Sequence, residues 1–93
     1  MADIAEVHAV VSGRVQGVCF RAATRRAARL AGVRGWVRNL PGRQVEAVLQ
    51  GERRAVETIL DFLRVGPPGA SVTGVEVSWR MPGETYHEFD IRY

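Results

Sequence analysis

The chain has 93 residues, of which 46% are hydrophobic and 25% are charged, and its formal net charge at pH 7 is +3. This length predicts one domain over residues 1–93 with a single core, and no apolar run is long enough to span a bilayer. A single cysteine excludes an internal disulfide, and together with an N-terminus that lacks a basic and apolar leader it predicts a protein of the reducing cytoplasm.

The first half of the chain predicts a strand, a glycine loop and a helix. Residues 7–11 are rich in valine and end before Gly13, which is typical of a strand. Apolar residues recur at helical spacing from residue 20 to residue 31, and Gly32 fits the C-terminal end of such a helix. The expected apolar face of the helix consists of Phe20, Ala23, Ala27, Leu30 and Ala31.

The second half predicts three more strands and a second helix. Alternating apolar and polar residues indicate the strands, whereas apolar residues that share one face indicate the helix. In chain order we expect strands over 35–40 and 45–49 joined by a turn at Pro41-Gly42, a helix from Glu52 to the break at 66–69, and strands over 75–79 and 86–93.

The order β-α-β-β-α-β followed by a short final strand predicts an α+β fold of the ferredoxin-like, split βαβ type. We expect an antiparallel sheet with both helices on one face, so that the other face of this alpha/beta sandwich stays partly exposed to water. The loop 14–20 then lies at one edge of the sheet. Because this fold hosts many functions, the function has to be read from particular residues.

The most informative stretch is residues 11–21, which read VSGRVQGVCFR. Gly13 and Gly17 allow a tight turn and a close approach of the backbone to a ligand, and the N–H groups of such a loop can converge on an anion. The following helix adds free N–H groups and the positive end of its dipole, since no capping side chain stands directly before Phe20. Arg21 adds a planar guanidinium that suits a phosphate or carboxylate.

The charges are distributed unevenly around this loop. Residues 7–45 contain eight Arg and no acidic residue, whereas the rest of the chain contains five Arg and ten acidic residues. A mildly basic protein therefore contains one strongly basic segment. An anionic ligand is the partner that such a segment favours.

Two motifs in the basic segment resemble the acylphosphatase family. The family pattern aliphatic-x-Gly-x-Val-Gln-Gly-Val-x-Phe-Arg is matched at residues 11–21, and its Gly-aromatic-small-variable-Asn pattern at residues 35–39. Residues 45–48 and 89–93 are similar to the family as well, so the resemblance covers nearly the whole chain. The hairpin 40–44 departs from relatives that often place an acidic residue before the glycine, but it forms a turn and not the expected site.

The resemblance implies an enzyme that hydrolyses the carboxyl-phosphate bond of acyl phosphates to a carboxylate and inorganic phosphate, with no cofactor and no metal. It implies that Arg21 binds the phosphate and that Asn39 orients the attacking water, which makes both catalytic. The implied substrate-binding loop, which supplies backbone donors, is Arg14, Val15, Gln16, Gly17, Val18, Cys19 and Phe20.

The expected partner is a small-molecule acyl phosphate, with inorganic phosphate or sulfate as competing anions. We expect neither nucleic acid nor a membrane as a partner, and we expect a monomer.

Three alternatives compete with this interpretation. Cys19 and Arg25 have the Cys-x₅-Arg spacing of thiol-dependent phosphatases, although no glycine lies between them to build the required phosphate cradle. A nucleic-acid-binding domain would use the arginines against phosphates, but the aromatic residues expected on the central strands for base stacking are missing. A catalytically silent regulatory domain is disfavoured because both Arg21 and Asn39 are present.

Overall fold

The computed structural model describes residues 3–93. The elements within this range are β1 (Ile4–Arg14), α1 (Phe20–Ala31), β2 (Arg34–Leu40), β3 (Gln44–Glu52), α2 (Arg53–Val65), β4 (Ser71–Arg80) and β5 (Phe89–Ile91). The strands form one sheet in the order β4-β1-β3-β2-β5. The predicted ferredoxin-like α+β arrangement with a short final strand is therefore confirmed.

The strand pairing places β1 and β3 at the centre of the sheet. β1 pairs antiparallel with both β3 and β4, and β2 pairs antiparallel with β3. β4 is longer than the predicted strand over 75–79, because its pairing with β1 continues to Ser71, opposite Arg14. β5 departs from the expected antiparallel sheet, since the chain crosses from one edge of the sheet to the other after β4 and β5 reaches β2 in the parallel direction.

The final strand is also much shorter than the predicted strand over residues 86–93. Only Phe89–Ile91 join the sheet, where Phe89 is fully buried. The backbone just before them is held by a side chain instead: Gln50 Nε2 donates to the Glu84 carbonyl at 2.7 Å, and the Tyr86 N–H donates to Gln50 Oε1 at 3.1 Å. These bonds to the Gln50 side chain take the place of bonds between strands, and the alternation of residues in the sequence does not reveal them.

The core lies between the helices and one face of the sheet. The buried residues of the two helices are Phe20, Thr24 and Ala28 from α1, and Val56, Ile59, Leu60 and Leu63 from α2. The sheet contributes Val7, Ala9, Val11, Val37, Val45, Ala47 and Leu49. Full burial of one large apolar side chain contributes about 1.5–3 kcal/mol, so this layer supplies the main driving force for folding.

The prediction that Leu30 belongs to the buried face of α1 is wrong, because this side chain is 82% exposed. The buried stripe of α1 is centred on Thr24 and Ala28, and Leu30 lies beyond its border. Thr24 tolerates full burial because its hydroxyl donates to the Phe20 carbonyl at 2.8 Å.

No helix formed by residues 3–93 is long and apolar enough to cross a membrane.

The fold brings the glycine loop and the end of β2 to the same end of the sheet. β1 and β4 shift register between Ser12 and Gly13, which is a bulge at the end of β1. Gly13 has φ of +122°, and a Cβ at this position would collide with the Ser71 carbonyl oxygen of β4. A glycine is therefore required where the chain leaves the sheet for the loop, opposite the turn between β2 and β3.

Candidate functional site

The N-terminus of α1 has no side-chain cap. Its N-cap residue, Cys19, is in the left-handed conformation with φ 59° and ψ 28°, and it makes no capping hydrogen bond. The first turn contains no acidic residue. Because the first N–H groups of a helix have no partner within it, they stay available here, together with the positive end of the helix dipole, for an external anion.

The loop before the helix adds further donors. Within the described range 3–93, the backbone N–H groups of residues 16–19 make no hydrogen bond to the protein. The Val15 N–H, by contrast, donates to the Gly13 carbonyl at 3.1 Å, and Arg14 is the last residue of β1. The donors of the predicted loop therefore begin at Gln16. Gly17 supports the tight curve with φ of +75°, at a position where a Cβ would meet open space.

Arg21 and Asn39, the two predicted catalytic residues, line one cleft of about 490 Å³ together with residues 15–17, 19 and 20 of the loop. Arg14 and Val18, which were predicted for the same loop, do not line this cleft. Asn39 lies near the end of β2 and points to the helix-covered side of the sheet, as Val37 does. Among residues 3–93, its amide has no hydrogen-bond partner. The fold thus brings together an amide that can donate and accept, a guanidinium and a set of backbone donors.

Gln16 has a different role from the rest of the loop. Its side-chain amide donates to the Leu40 carbonyl at 2.7 Å and to the Gln44 carbonyl at 2.9 Å. Both acceptors flank the turn between β2 and β3, so the side chain joins the loop to the strand that carries Asn39. Both Nε2 hydrogens are used in these bonds, so the backbone N–H is the donor that Gln16 has left for a ligand.

The cleft also contains Ile91 and Tyr93, which the sequence interpretation missed, and Arg25, which it considered only for the thiol alternative. The Arg21 guanidinium carbon lies 5.1 Å from the centroid of the Tyr93 ring, within range of a cation–π contact. The alternation of Ile91 and Tyr93 in the closing segment was the available signal, because both side chains then point to the same side of the sheet.

The cleft is electropositive. Of the eight arginines in residues 7–45, only Arg29 and Arg38 have a carboxylate within 4.0 Å in the part of the chain that the structure describes. Their partners are Asp90 and Glu46. Arg21 and Arg25 therefore face the cleft without a carboxylate partner from residues 3–93, which favours an anionic occupant.

The thiol alternative meets a geometric obstacle. Cys19 and Arg25 both line the cleft, but residues 20–25 form the first turns of α1. A helix does not wrap its N–H groups around a phosphate held on the Cys19 sulfur.

No three His, Cys, Asp or Glu side chains among residues 3–93 come close enough together to hold a metal ion.

Comparison with known proteins identifies the family. A family model described as acylphosphatase matches residues 7–91. The chain belongs to the acylphosphatase family. Acylphosphatase from Anaeromyxobacter dehalogenans is 50% identical to it over 93 residues, which cover 100% of both chains.

Solved acylphosphatase structures agree with this assignment. The acylphosphatase from Coxiella burnetii superimposes with a TM-score of 0.91 at 38% identity, covering 97% of this chain and 94% of the other. The Bacillus subtilis acylphosphatase gives a TM-score of 0.92 at 31% identity, covering 96% and 99%. The predicted family is thus confirmed, and the two acylphosphatase motifs at residues 11–21 and 35–39 meet at the cleft.

Proposed function

We propose that the chain hydrolyses acyl phosphates in this cleft, with the phosphate held by Arg21 and by the loop backbone from Gln16 onward, and with the water oriented by Asn39. The prediction of an enzyme that hydrolyses acyl phosphates is confirmed by family membership; the roles of the residues are our proposal. One observation carries it: Arg21 and Asn39 line a single cleft together with Gln16, Gly17 and Cys19, whose backbone N–H groups make no hydrogen bond within residues 3–93.

The chemistry places modest demands on these groups. The leaving carboxylate is a weak base with a pKa of about 4, so no general acid is required to protonate it. Water attacks phosphorus, the bond from phosphorus to the acyl oxygen breaks, and the carboxylate leaves with the electron pair. The protein has to hold the phosphoryl oxygens, neutralise their charge and direct the water in line with the leaving group.

Arg21 and the loop donors account for the first two tasks. A guanidinium can donate two parallel hydrogen bonds to phosphoryl oxygens, and backbone N–H groups around it add fixed partial charges. Because these groups are in place before the substrate arrives, they need little reorganisation during the reaction. They also supply the positive charge at the phosphate, so we propose that activity is independent of metal.

Asn39 accounts for the third task. Its amide oxygen can accept a hydrogen bond from water while its NH₂ group donates to a phosphoryl oxygen, which fixes the direction of attack. An amide is too weak a base to remove the proton of water. We propose that a phosphoryl oxygen of the substrate takes that proton, so that the substrate assists its own hydrolysis.

Binding of nucleic acid is the main rival function. On the face of the sheet that the helices do not cover, the central strands β1 and β3 carry Glu6, His8, Val10, Glu46 and Val48, of which Glu6 and Val48 are buried. Neither strand has a Phe, Tyr or Trp on which a base would stack, and the imidazole of His8 is hydrogen-bonded to Glu46. We therefore propose that nucleic acid is not a partner of this chain. We also propose that it acts on small acyl phosphates as a cytoplasmic monomer without a membrane partner.

Release of phosphate from benzoyl phosphate tests the proposal directly. The purified protein, in the presence of EDTA, should release phosphate well above the uncatalysed background, and inorganic phosphate or sulfate should compete with the substrate. Filter binding of single-stranded RNA at physiological salt should give no retention, and light scattering should give the mass of one chain. A folded protein that retains RNA and leaves benzoyl phosphate intact would reverse the assignment.

A further inference from the structure

A second cleft lies beside the phosphate loop. It has a volume of about 780 Å³, and its walls are residues 13–16 on one side and Gly42-Arg43 on the other. It shares Val15 and Gln16 with the cleft that contains Arg21 and Asn39. The two clefts are therefore neighbours at the same end of the sheet, separated by one stretch of the loop.

The second cleft contains two cations and no acidic residue. Arg14 and Arg43 are both exposed, and neither has a carboxylate within 4.0 Å in the described range. Arg38, on the same hairpin, is instead paired with Glu46. Two unpaired guanidinium groups on one concave surface attract an anion, and each can bind a carboxylate or phosphate through two hydrogen bonds.

Gln16 fixes the spacing between the clefts. Because its side-chain amide is bonded to the Leu40 and Gln44 carbonyls, the loop and the hairpin are held against each other at the boundary. The wall with Arg14 and the wall with Arg43 are therefore tied to the same framework as Asn39. An acyl end that extends past Gln16 from a phosphoryl group in the first cleft enters the second cleft, where it meets the two arginines.

We propose that Arg14 and Arg43 select acyl phosphates that carry a second anionic group, a carboxylate or phosphate, at the acyl end. This inference rests on the proposed function, because it assumes that the phosphoryl group binds beside Arg21. Both arginines are partly hydrated, so each contact contributes modestly. A neutral acyl end gains nothing from them.

A matched pair of substrates isolates this contribution. Meta- and para-carboxybenzoyl phosphate are compared with the corresponding carbamoylbenzoyl phosphates, which have the same shape but no second charge. The ratio of kcat/KM for each pair is measured for the wild type, for Arg14→Gln, Arg43→Gln and the double variant, and for Arg54→Gln. Arg54 is an exposed arginine on α2 at the opposite end of the sheet. The ionic strength is held near 0.15 M, where the Debye length of about 8 Å screens distant charges.

The wild type should favour at least one carboxylate substrate by about threefold to tenfold, as two partly hydrated ion pairs would give. The double variant should lower that ratio to about one, each single variant should give an intermediate ratio, and Arg54→Gln should keep the wild-type ratio. Inhibition by inorganic phosphate should stay unchanged in the double variant, because the phosphate end is intact.

Three results would overturn the inference: no carboxylate preference in the wild type, an unchanged ratio in a double variant with native circular dichroism, or an equal loss in Arg54→Gln. Each of them is compatible with normal hydrolysis of benzoyl phosphate, in which case the proposed function stands. If the wild type fails to hydrolyse benzoyl phosphate, the proposed function and this inference fail together.

Discussion

At the scale of single residues, Arg21 is the side chain on which phosphate binding should depend most. It stands in the first turn of α1, its guanidinium lies over the Tyr93 ring, and no carboxylate among residues 3–93 lies within 4.0 Å of it. Arg21→Ala should lower kcat/KM for benzoyl phosphate about 100-fold, which corresponds to about 3 kcal/mol of lost electrostatic stabilisation of the transition state. Arg21→Lys should recover little, because an ammonium cannot reproduce the two-pronged contact.

The matched control for this change is Arg26→Ala, which removes an exposed arginine from the same helix without touching the cleft. It should keep kcat/KM close to the wild-type value. A folded Arg21→Ala protein with full activity would remove the site assignment.

Asn39 allows three roles to be separated by two substitutions. If it orients water, Asn39→Ala should lower kcat sharply while KM changes little, since the contact is made mainly in the transition state. Asn39→Asp should also raise KM, and more so at pH 7 than at pH 4, because a carboxylate beside a bound phosphate repels it. Steady-state kinetics, normalised to the folded fraction by circular dichroism, provide the measurement.

The competing roles predict different results for the same two variants. A general base would make Asn39→Asp at least as active as the wild type. A purely structural residue at the end of β2 would lower stability but leave turnover per folded molecule unchanged. Wild-type kcat in Asn39→Ala would refute water positioning.

Cys19 separates the proposed mechanism from a phosphocysteine route. Its backbone is left-handed and its side chain caps nothing, so serine can replace it with little disturbance. Cys19→Ser should retain most of the activity, and rapid-quench experiments on the wild type should trap no phosphoenzyme. An inactive but folded Cys19→Ser protein would favour the thiol mechanism instead.

At this scale the sequence predicts the residues of local motifs and misses the distant ones. Arg21 and the loop are contiguous, and Asn39 follows from its own motif, so both could be assigned to a site. Tyr93 reaches the cleft only because β5 pairs with β2, which is a contact between distant parts of the chain. The side-chain bonds of Gln16 depend on the same kind of contact, and no spacing rule reveals them.

At the scale of elements, the loop and the β2–β3 hairpin behave as one unit because Gln16 joins them. Gln16→Ala removes two hydrogen bonds and should lower the free energy of unfolding by about 1–2 kcal/mol. It should also lower kcat/KM, since the loop and Asn39 lose their fixed spacing. Gln16→Glu should be worse at pH 7 than at pH 4, because a charged carboxylate would face two carbonyl oxygens.

Gln44→Ala is the control for this prediction. The Gln44 side chain donates to the Ser12 hydroxyl at 2.9 Å on the other side of the sheet, so its loss should affect stability without a comparable loss of activity. Urea unfolding and benzoyl phosphate kinetics on the same samples separate the two effects. Equal activity losses in the Gln16 and Gln44 variants would contradict a positioning role.

The elements with strong periodicity could be predicted, and those held by side chains could not. α2 has its buried residues where the sequence places them, because Val56, Ile59, Leu60 and Leu63 share one face. The segment before β5 was wrongly predicted as strand, because its backbone is held by the Gln50 side chain and its own alternating pattern does not determine its path. The boundary of a single domain over residues 1–93 stays a prediction.

At the scale of the whole molecule, the two faces of the sheet are stabilised in different ways. One face packs against the helices through apolar residues, whereas the other carries networks of charged side chains. In the central network, His8 Nε2 and Arg38 Nε each donate to Glu46 at 2.6 Å. Burial raises the pKa of Glu46, but the hydrogen bonds from His8 and Arg38 and their charges outweigh it, so the pKa lies below 4.5.

This lowered pKa gives a stability contribution with a definite pH dependence. Since the folded protein holds the Glu46 proton less tightly than the unfolded chain, the contribution is fully present above pH 4.5 and is lost as the pH falls through the folded pKa. Glu46→Gln should lower the free energy of unfolding by about 1–2 kcal/mol at pH 7, as charge-assisted bonds are lost, and the difference from the wild type should shrink toward zero near pH 3. Urea unfolding at several pH values gives this difference directly, with other carboxylates cancelling between the two proteins. Glu76→Gln, which removes an exposed carboxylate of β4 that has no ion-pair partner among residues 3–93, should show no comparable pH dependence. A Glu46→Gln deficit that stays constant from pH 7 to pH 3 would mean that shape rather than charge explains the role of Glu46.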